Sequence, residues 1–229
     1  MTNHDPLLLQ RRAGEFALAS MAVAYPDSEF AASASTVLPF FRAHPGLGPL
    51  ARTAGEPDGL TVLRAAYIDL FEHGKGRVPL YETEYGRMRG MSKGNDLADI
   101  AGFYQAFGLD LEGSETHEML DHLAVELEFY ATLLAKQAHL LKAGDQEGAE
   151  IVEDARRKFL VAHLGSFAPA VAGQATVRED PHYGALFAWC AELVAEECAT
   201  LHACATPLDY FQDDELNRDM RCKSLPVLQ

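Results

Sequence analysis

The chemistry-bearing residues of this chain crowd into one run, Asp121-His122-Leu123-Ala124-Val125-Glu126-Leu127-Glu128-Phe129. On a helix, His122 and Glu126 stand at i and i+4, a workable spacing for two metal ligands on one face. A carboxylate-bridged di-iron bundle asks for more: Glu-x-x-His from two helices and a glutamate from each of two others. Here Glu-x-x-His occurs as Glu179-Asp180-Pro181-His182, which the proline places in a loop, and His-Glu-x-x-His is absent. The pattern therefore predicts no metal centre. Nucleotide and acyl-transfer chemistry has no foothold either, because the sequence holds no GxGxxG after a strand, no GxxxxGK[ST] and no GxSxG. The nine histidines are scattered without a nucleophile–base pairing, so the expectation is a protein with no catalytic residues and no cofactor, not an enzyme.

Cys190, Cys198, Cys204 and Cys222 contain no CxxC pair. Eight residues of helix would separate Cys190 from Cys198 by about 12 Å, too far for a disulfide. Cys198, His202 and Cys204 match no zinc spacing, so the thiols read as small buried hydrophobes.

The elements that carry these residues have a helical period throughout. Asp5 caps a first helix with Pro6 at its first position, and Tyr25-Pro26 closes it. A second follows Asp27 or Ser28 and runs toward Pro39 and the Pro45-Gly46 break. A third starts at Asp58, carries Leu60, Leu63, Tyr67, Leu70 and Phe71, and ends at His73-Gly74. A Gly-rich loop over 74–79 leads to Leu80-Tyr81-Glu82-Thr83-Glu84-Tyr85. Asn95 or Asp96 caps a short helix closed by Gly108. A long helix spans about Thr116 to Ala143 and stops at Gly144, and Asp145 starts another that reaches Leu164-Gly165. The segment from Ser166 to Gly173 is apolar and broken by proline, and Pro181 opens a last helix that ends before Pro207. The fold class is all-α: a single bundle-like domain of about eight helices over residues 1–207, with a hinge or sub-boundary at 166–180 and a tail over 208–229.

Placed about 100° apart, the residues of the helix from Thr116 form two apolar stripes. One holds Leu120, Leu123, Ala124, Leu127, Tyr130, Ala131, Leu134, Ala138 and Leu141. The opposite one holds His122, Glu126, Phe129, Leu133 and Leu140, with Asp121, Val125 and Glu128 beside it. Such a helix is either central, with neighbours over both sides, or turns its second face to a groove that receives an apolar peptide. The pattern leaves both open.

Nineteen Lys and Arg oppose 34 Asp and Glu, for a net charge of −15, which repels a phosphate backbone and excludes a nucleic-acid partner. No apolar run reaches the roughly 18 residues of a membrane span. Gln10-Arg11-Arg12 followed by Phe16 to Ala24 imitates a twin-arginine export signal. Asp5, Glu15 and the alanine-rich stretch between them and Tyr25 favour a helix of the folded chain, with the arginines on a solvated face, and so a cytoplasmic protein.

The run Asp121-His122-Leu123 continuing to Glu126-Leu127-Glu128-Phe129 resembles the signature of the TorD/DmsD/NarJ family of redox-enzyme maturation chaperones. His163-Leu164 followed by Phe167 and Pro169 resembles the family's His-Leu-x-x-Trp-x-Pro, with phenylalanine where tryptophan is usual. Tyr67-x-x-Leu70-Phe71, Val78-Pro79-Leu80-Tyr81-Glu82 and the opening helix are similar as well, in the family's order over about residues 10 to 190. The segments Leu80 to Tyr85 and Leu97 to Tyr104 look closest to the branch that serves dimethyl sulfide, ethylbenzene, selenate and chlorate oxidoreductases. The resemblance implies a TorD-like helical fold and a cytoplasmic chaperone. Its partners would be the apo catalytic subunit of a bis-molybdopterin guanine dinucleotide enzyme and that subunit's twin-arginine leader. It also implies a binding face of Asp121, His122, Glu126, Glu128 and Phe129, with Tyr67, Phe71 and Tyr81 adding apolar wall. Monomer and domain-swapped dimer both occur in such proteins. Two further readings stand beside it: a helical metal-binding protein or enzyme using His122 and Glu126, and a generic helical adaptor.

Overall fold

A computed structural model describes residues 5–27, 30, 44–72, 77–86, 93–109 and 119–210. Nine α-helices lie among them: α1 (Pro6–Val23), α2 (Gly48–Ala54), α3 (Gly59–Tyr67), α4 (Lys93–Ala106), α5 (Leu123–Ala143), α6 (Gln146–Ala162), α7 (Leu164–Ala172), α8 (Ala175–Arg178) and α9 (Gly184–Thr200). No strand is present among the described residues beyond one isolated antiparallel bridge between Tyr81 and His122. The helix expected over about 28–39 and the tail beyond Tyr210, with Cys222, lie outside the described residues.

The ends of these helices follow their local chemistry. Asp5 accepts from the Leu7 amide at 2.9 Å and Pro6 supplies the fixed φ of the first turn. Gly144 closes α5 at φ 77°, and Asp145 caps α6 through the Gly148 amide at 2.9 Å, so two long helices meet across a two-residue corner. α3 runs into a wider π-helical turn, Ile68–Glu72. The buried residues Leu63, Tyr67 and Phe71 recur every four positions, and the wide turn keeps all three on one side.

α5 is the axis of the bundle. α1 packs along it on one side and α6 on the other, while α9 packs on α7 and reaches α1. Both predicted stripes are buried: Leu123, Leu127, Tyr130, Leu134 and Ala138 on one side, Glu126, Phe129 and Leu133 on the other. The peptide-groove alternative for the second stripe is therefore corrected, because Phe129 stacks on Tyr104 at 4.5 Å and on Phe159 at 4.8 Å. Tyr67 and Phe71 are core too, in a ring cluster with Tyr183 and Phe187.

Other boundaries differ from expectation. α5 begins at Leu123, not near Thr116; residues 119–122 form a turn, and 110–118 lie outside the described residues. α2 occupies the stretch between the Pro45-Gly46 break and Asp58, to which the sequence pattern assigns no helix. The proline-broken segment is helical as α7, which passes through Pro169, and α8 follows it; Leu164, Phe167, Val171 and Val177 from this stretch are core residues.

One polar network crosses the bundle and was not anticipated. Arg156 of α6, fully buried, bonds to Gln137 of α5 and to Glu197 of α9. Tyr130 donates to the same Glu197 carboxylate at 2.8 Å, and Arg12 of α1 adds Nε at 3.2 Å. Arg12 also meets Glu15 at 3.0 Å and Glu196 at 2.8 Å. So Arg12 is clasped between helices and does not sit on a solvated face, while Arg11, 77% exposed, does.

Candidate functional site

Asp121 and His122 sit where the chain enters α5. His122 is the N-cap: its Nδ1 accepts from the Ala124 amide at 3.2 Å, an uncommon use of an imidazole in place of the usual serine or aspartate. Asp121 and His122 also receive a strap, residues 78–86. The Glu82 amide donates to the Asp121 carbonyl at 2.9 Å, and the Leu123 amide donates to the Leu80 carbonyl at 2.8 Å. These two bonds make the bridge that seats Tyr81 edge-on against the His122 ring at 5.1 Å. Asp121 Oδ2 accepts from Thr83 twice, from Oγ1 at 2.6 Å and from the amide at 3.2 Å. A short 3-10 turn, Glu82–Glu84, follows from this anchoring.

Beneath the strap lies an acidic cluster. Glu126, one turn into α5, is wholly buried, and no described donor reaches either of its oxygens. Its carboxyl neighbours that of Glu82, close enough for a hydrogen bond between them. Burial first, then the charges of Glu82 and Asp121, push the Glu126 carboxyl well above the ordinary range. On its far side Glu82 Oε2 faces His163 Nδ1 at 2.9 Å, and His163 Nε2 faces Asp99 Oδ2 of α4 at 3.1 Å. An imidazole with a carboxylate at each nitrogen donates from both only when protonated. Burial opposes the imidazolium, but the bonds and charges of Glu82 and Asp99 outweigh it and hold His163 above its ordinary value. Tyr104 closes the cluster, donating to the Leu120 carbonyl at 2.9 Å, with its phenol pushed upward by burial and by the acids around it.

The structure thus brings together Asp121, His122, Glu126 and Tyr81, but as an internal joint with Tyr81 half-buried at its outer edge. Phe129 stands one turn deeper, in the core, and Glu128 is exposed on α5. Tyr67 and Phe71 pack elsewhere, against α9. Glu82, Thr83, Asp99 and His163 complete the joint and were not singled out as site residues. They come from three separate elements, so no spacing along the chain announces them. Among the described residues no group of three His, Cys, Asp or Glu side chains is arranged to hold a metal ion, and His122 and Glu126 are turned to different tasks.

A family model described as nitrate reductase delta subunit matches residues 30–173, well over half of the 229. The chain belongs to the nitrate reductase delta subunit family. This bears out the TorD/DmsD/NarJ resemblance. Similar curated members are a chlorate reductase assembly chaperone protein of Ideonella dechloratans, 37% identical over 48% of this chain and 56% of its own length, and a dimethyl sulfide dehydrogenase assembly chaperone protein of Rhodovulum sulfidophilum, 31% identical over 70% and 68%. A selenate reductase assembly chaperone protein of Thauera selenatis is 34% identical over 47% and 54%. The matches span about half to two thirds of the length of these relatives. By name these family members are assembly chaperones, not catalysts, and the matched region contains the strap, the acidic cluster and the head of α5. No described helix is long and apolar enough to cross a membrane.

Proposed function

We propose that this delta-subunit family member is a system-specific assembly chaperone for a molybdenum-cofactor oxidoreductase. It binds the apo catalytic subunit in the cytoplasm, together with that subunit's twin-arginine signal peptide. It holds the subunit until the bis-molybdopterin guanine dinucleotide cofactor is inserted, and so delays export. The observation that carries the reading is the family match over 30–173, joined by three relatives named as assembly chaperones for chlorate reductase, selenate reductase and dimethyl sulfide dehydrogenase.

The geometry supports a division of labour. Tyr81 and Glu128 remain reachable at the head of α5, with the half-exposed Met119 beside the turn that leads into it. An arginine-rich apolar leader calls for such a mixture of carboxylate and apolar surface. Asp121, His122 and Glu126 act from beneath, by fixing the strap that presents Tyr81. Phe129, Tyr67 and Phe71 support the same end through the core.

Co-purification from the native host, with the bait tagged at its C-terminus and the eluate analysed by mass spectrometry and for molybdenum, tests this directly. A large molybdopterin-type subunit that retains its leader is the expected companion, and Asp121→Ala is expected to lose it. A bait that elutes alone, or with unrelated proteins regardless of the Asp121 substitution, sinks the reading.

A further inference from the structure

The acidic cluster under the strap is built against ordinary electrostatics. Two carboxyl groups, those of Glu82 and Glu126, are buried as neighbours in the interior. Two carboxylates cannot hydrogen-bond; one must carry the proton. No described donor reaches the Glu126 oxygens in its place. The turn before α5 contributes Asp121, a further acid. α4 contributes Tyr104, bonded away to a carbonyl, and Asp99. α5 adds Glu128, and the strap adds Glu84, which pairs outward with Lys93 at 3.6 Å. His163, at the corner between α6 and α7, meets this cluster as a cationic group shared between Glu82 and Asp99, and the buried His122 ring stands beside Asp121 at the head of α5.

These groups also form a line to solvent. The Asp99 side chain is 63% exposed, His163 4% and Glu82 8%, ending at the fully buried Glu126. A proton can pass from water to the buried acid along that line without the bundle opening.

We infer that the Glu82–Glu126 pair holds one shared proton and serves as a pH-dependent latch, which seats the 78–86 strap, and with it the Tyr81–His122 face, on the head of α5. With the proton in place the two carboxyls bond to each other and the strap stays down. Without it two buried like charges confront each other, Asp121 adds a third, and the cheapest relief is for the strap to lift and carry Glu82 into water. The sign follows from linkage. Glu126 and His163 both hold their protons more tightly in the seated state than in the unfolded chain, so both contributions are complete at low pH and drain as pH rises through the seated-state values. Rising pH therefore unseats the strap. Its role in handling a client rests on the chaperone reading above; the latch itself does not.

Backbone amide exchange of the full chain, read by mass spectrometry on peptides covering 78–86 and on α9 peptides as internal reference, tests the latch. After correction for intrinsic rates, strap protection relative to α9 is expected to fall at least about tenfold between about pH 6 and about pH 9, since each pH unit across the linked range is worth up to about tenfold. Glu126→Gln, whose amide donates to Glu82 at every pH, removes the Glu126 contribution and is expected to make the fall clearly shallower than wild type, leaving the part that His163 carries. A wild-type strap that tracks α9 throughout, or becomes better protected at high pH, overturns the proposal. So does a folded Glu126→Gln variant as steep as wild type. If that variant fails to fold, the wild-type profile decides alone. Client capture at the same two pH values separates the two readings: a strap that lifts in a protein capturing no molybdoenzyme subunit overturns the chaperone reading and leaves the latch standing.

Discussion

Arg156 shows how a single buried charge is tolerated. It is wholly enclosed, its Nε meets no acceptor among the described residues, and it survives because Gln137 and Glu197 take its other nitrogens while its guanidinium lies 5.5 Å from the Tyr130 ring centre. Removing one member strands the rest. Arg156→Met is expected to lower stability by about 3 kcal/mol, the low end for breaking a buried pair because Arg12 still reaches Glu197. Urea unfolding, with the midpoint shifted and the slope unchanged, checks it. Arg11→Met, at an exposed pair, is the control that should shift almost nothing. The thiols follow the same logic of environment: Cys190, fully buried, is pushed up to about 12 by desolvation, whereas Cys204 is exposed.

At the scale of the element, the end of α9 departs from habit. The Ala203 amide returns to the Cys198 carbonyl at 2.8 Å and the His202 amide to Ala199 at 3.4 Å, the double closure that normally recruits glycine. Here His202 occupies the left-handed position at φ 50°. His202→Gly is expected to raise stability by about 0.5–1 kcal/mol by relieving that strain, read as a higher urea midpoint. The contrast with Gly144 explains which ends were legible. Gly144, Asp145 and Asp5-Pro6 announce themselves by residue type, because their tasks are local. The start of α5 did not, since what stops the helix at Leu123 is the strap's pairing with Asp121 and His122, some forty residues distant in sequence. Likewise the two apolar stripes of α5 were visible, but not what covers the second; only tertiary packing placed Phe159 and Tyr104 over Phe129. Of the site, the Asp121-His122-Glu126 core was readable as a constellation, whereas its partners Glu82, Thr83, Asp99 and His163 arrive from elsewhere in the fold.

For the whole molecule, on the chaperone reading proposed above, a net charge of −15 makes encounter with a basic leader a long-range event. Stopped-flow association of a twin-arginine peptide is expected to slow about tenfold when ionic strength rises from about 0.01 to about 0.15 M, with dissociation much less affected. An association rate indifferent to salt would remove charge from the account of recognition. The last consequence lies in the strap's outer edge. The Gly86 amide donates to the Asp209 carbonyl at 2.7 Å, Tyr85 stacks on Tyr210 at 5.0 Å, and the Tyr210 hydroxyl returns to the Arg77 carbonyl at 3.1 Å. During synthesis that clasp emerges some 120 residues after Gly86, a delay of roughly 6–24 s at about 5–20 residues per second. Until it emerges, a growing chain holds the strap by its bonds to Asp121 and Leu123 without this clasp, so the outer edge beside Tyr85 and Gly86 is the last part of the joint to be fastened.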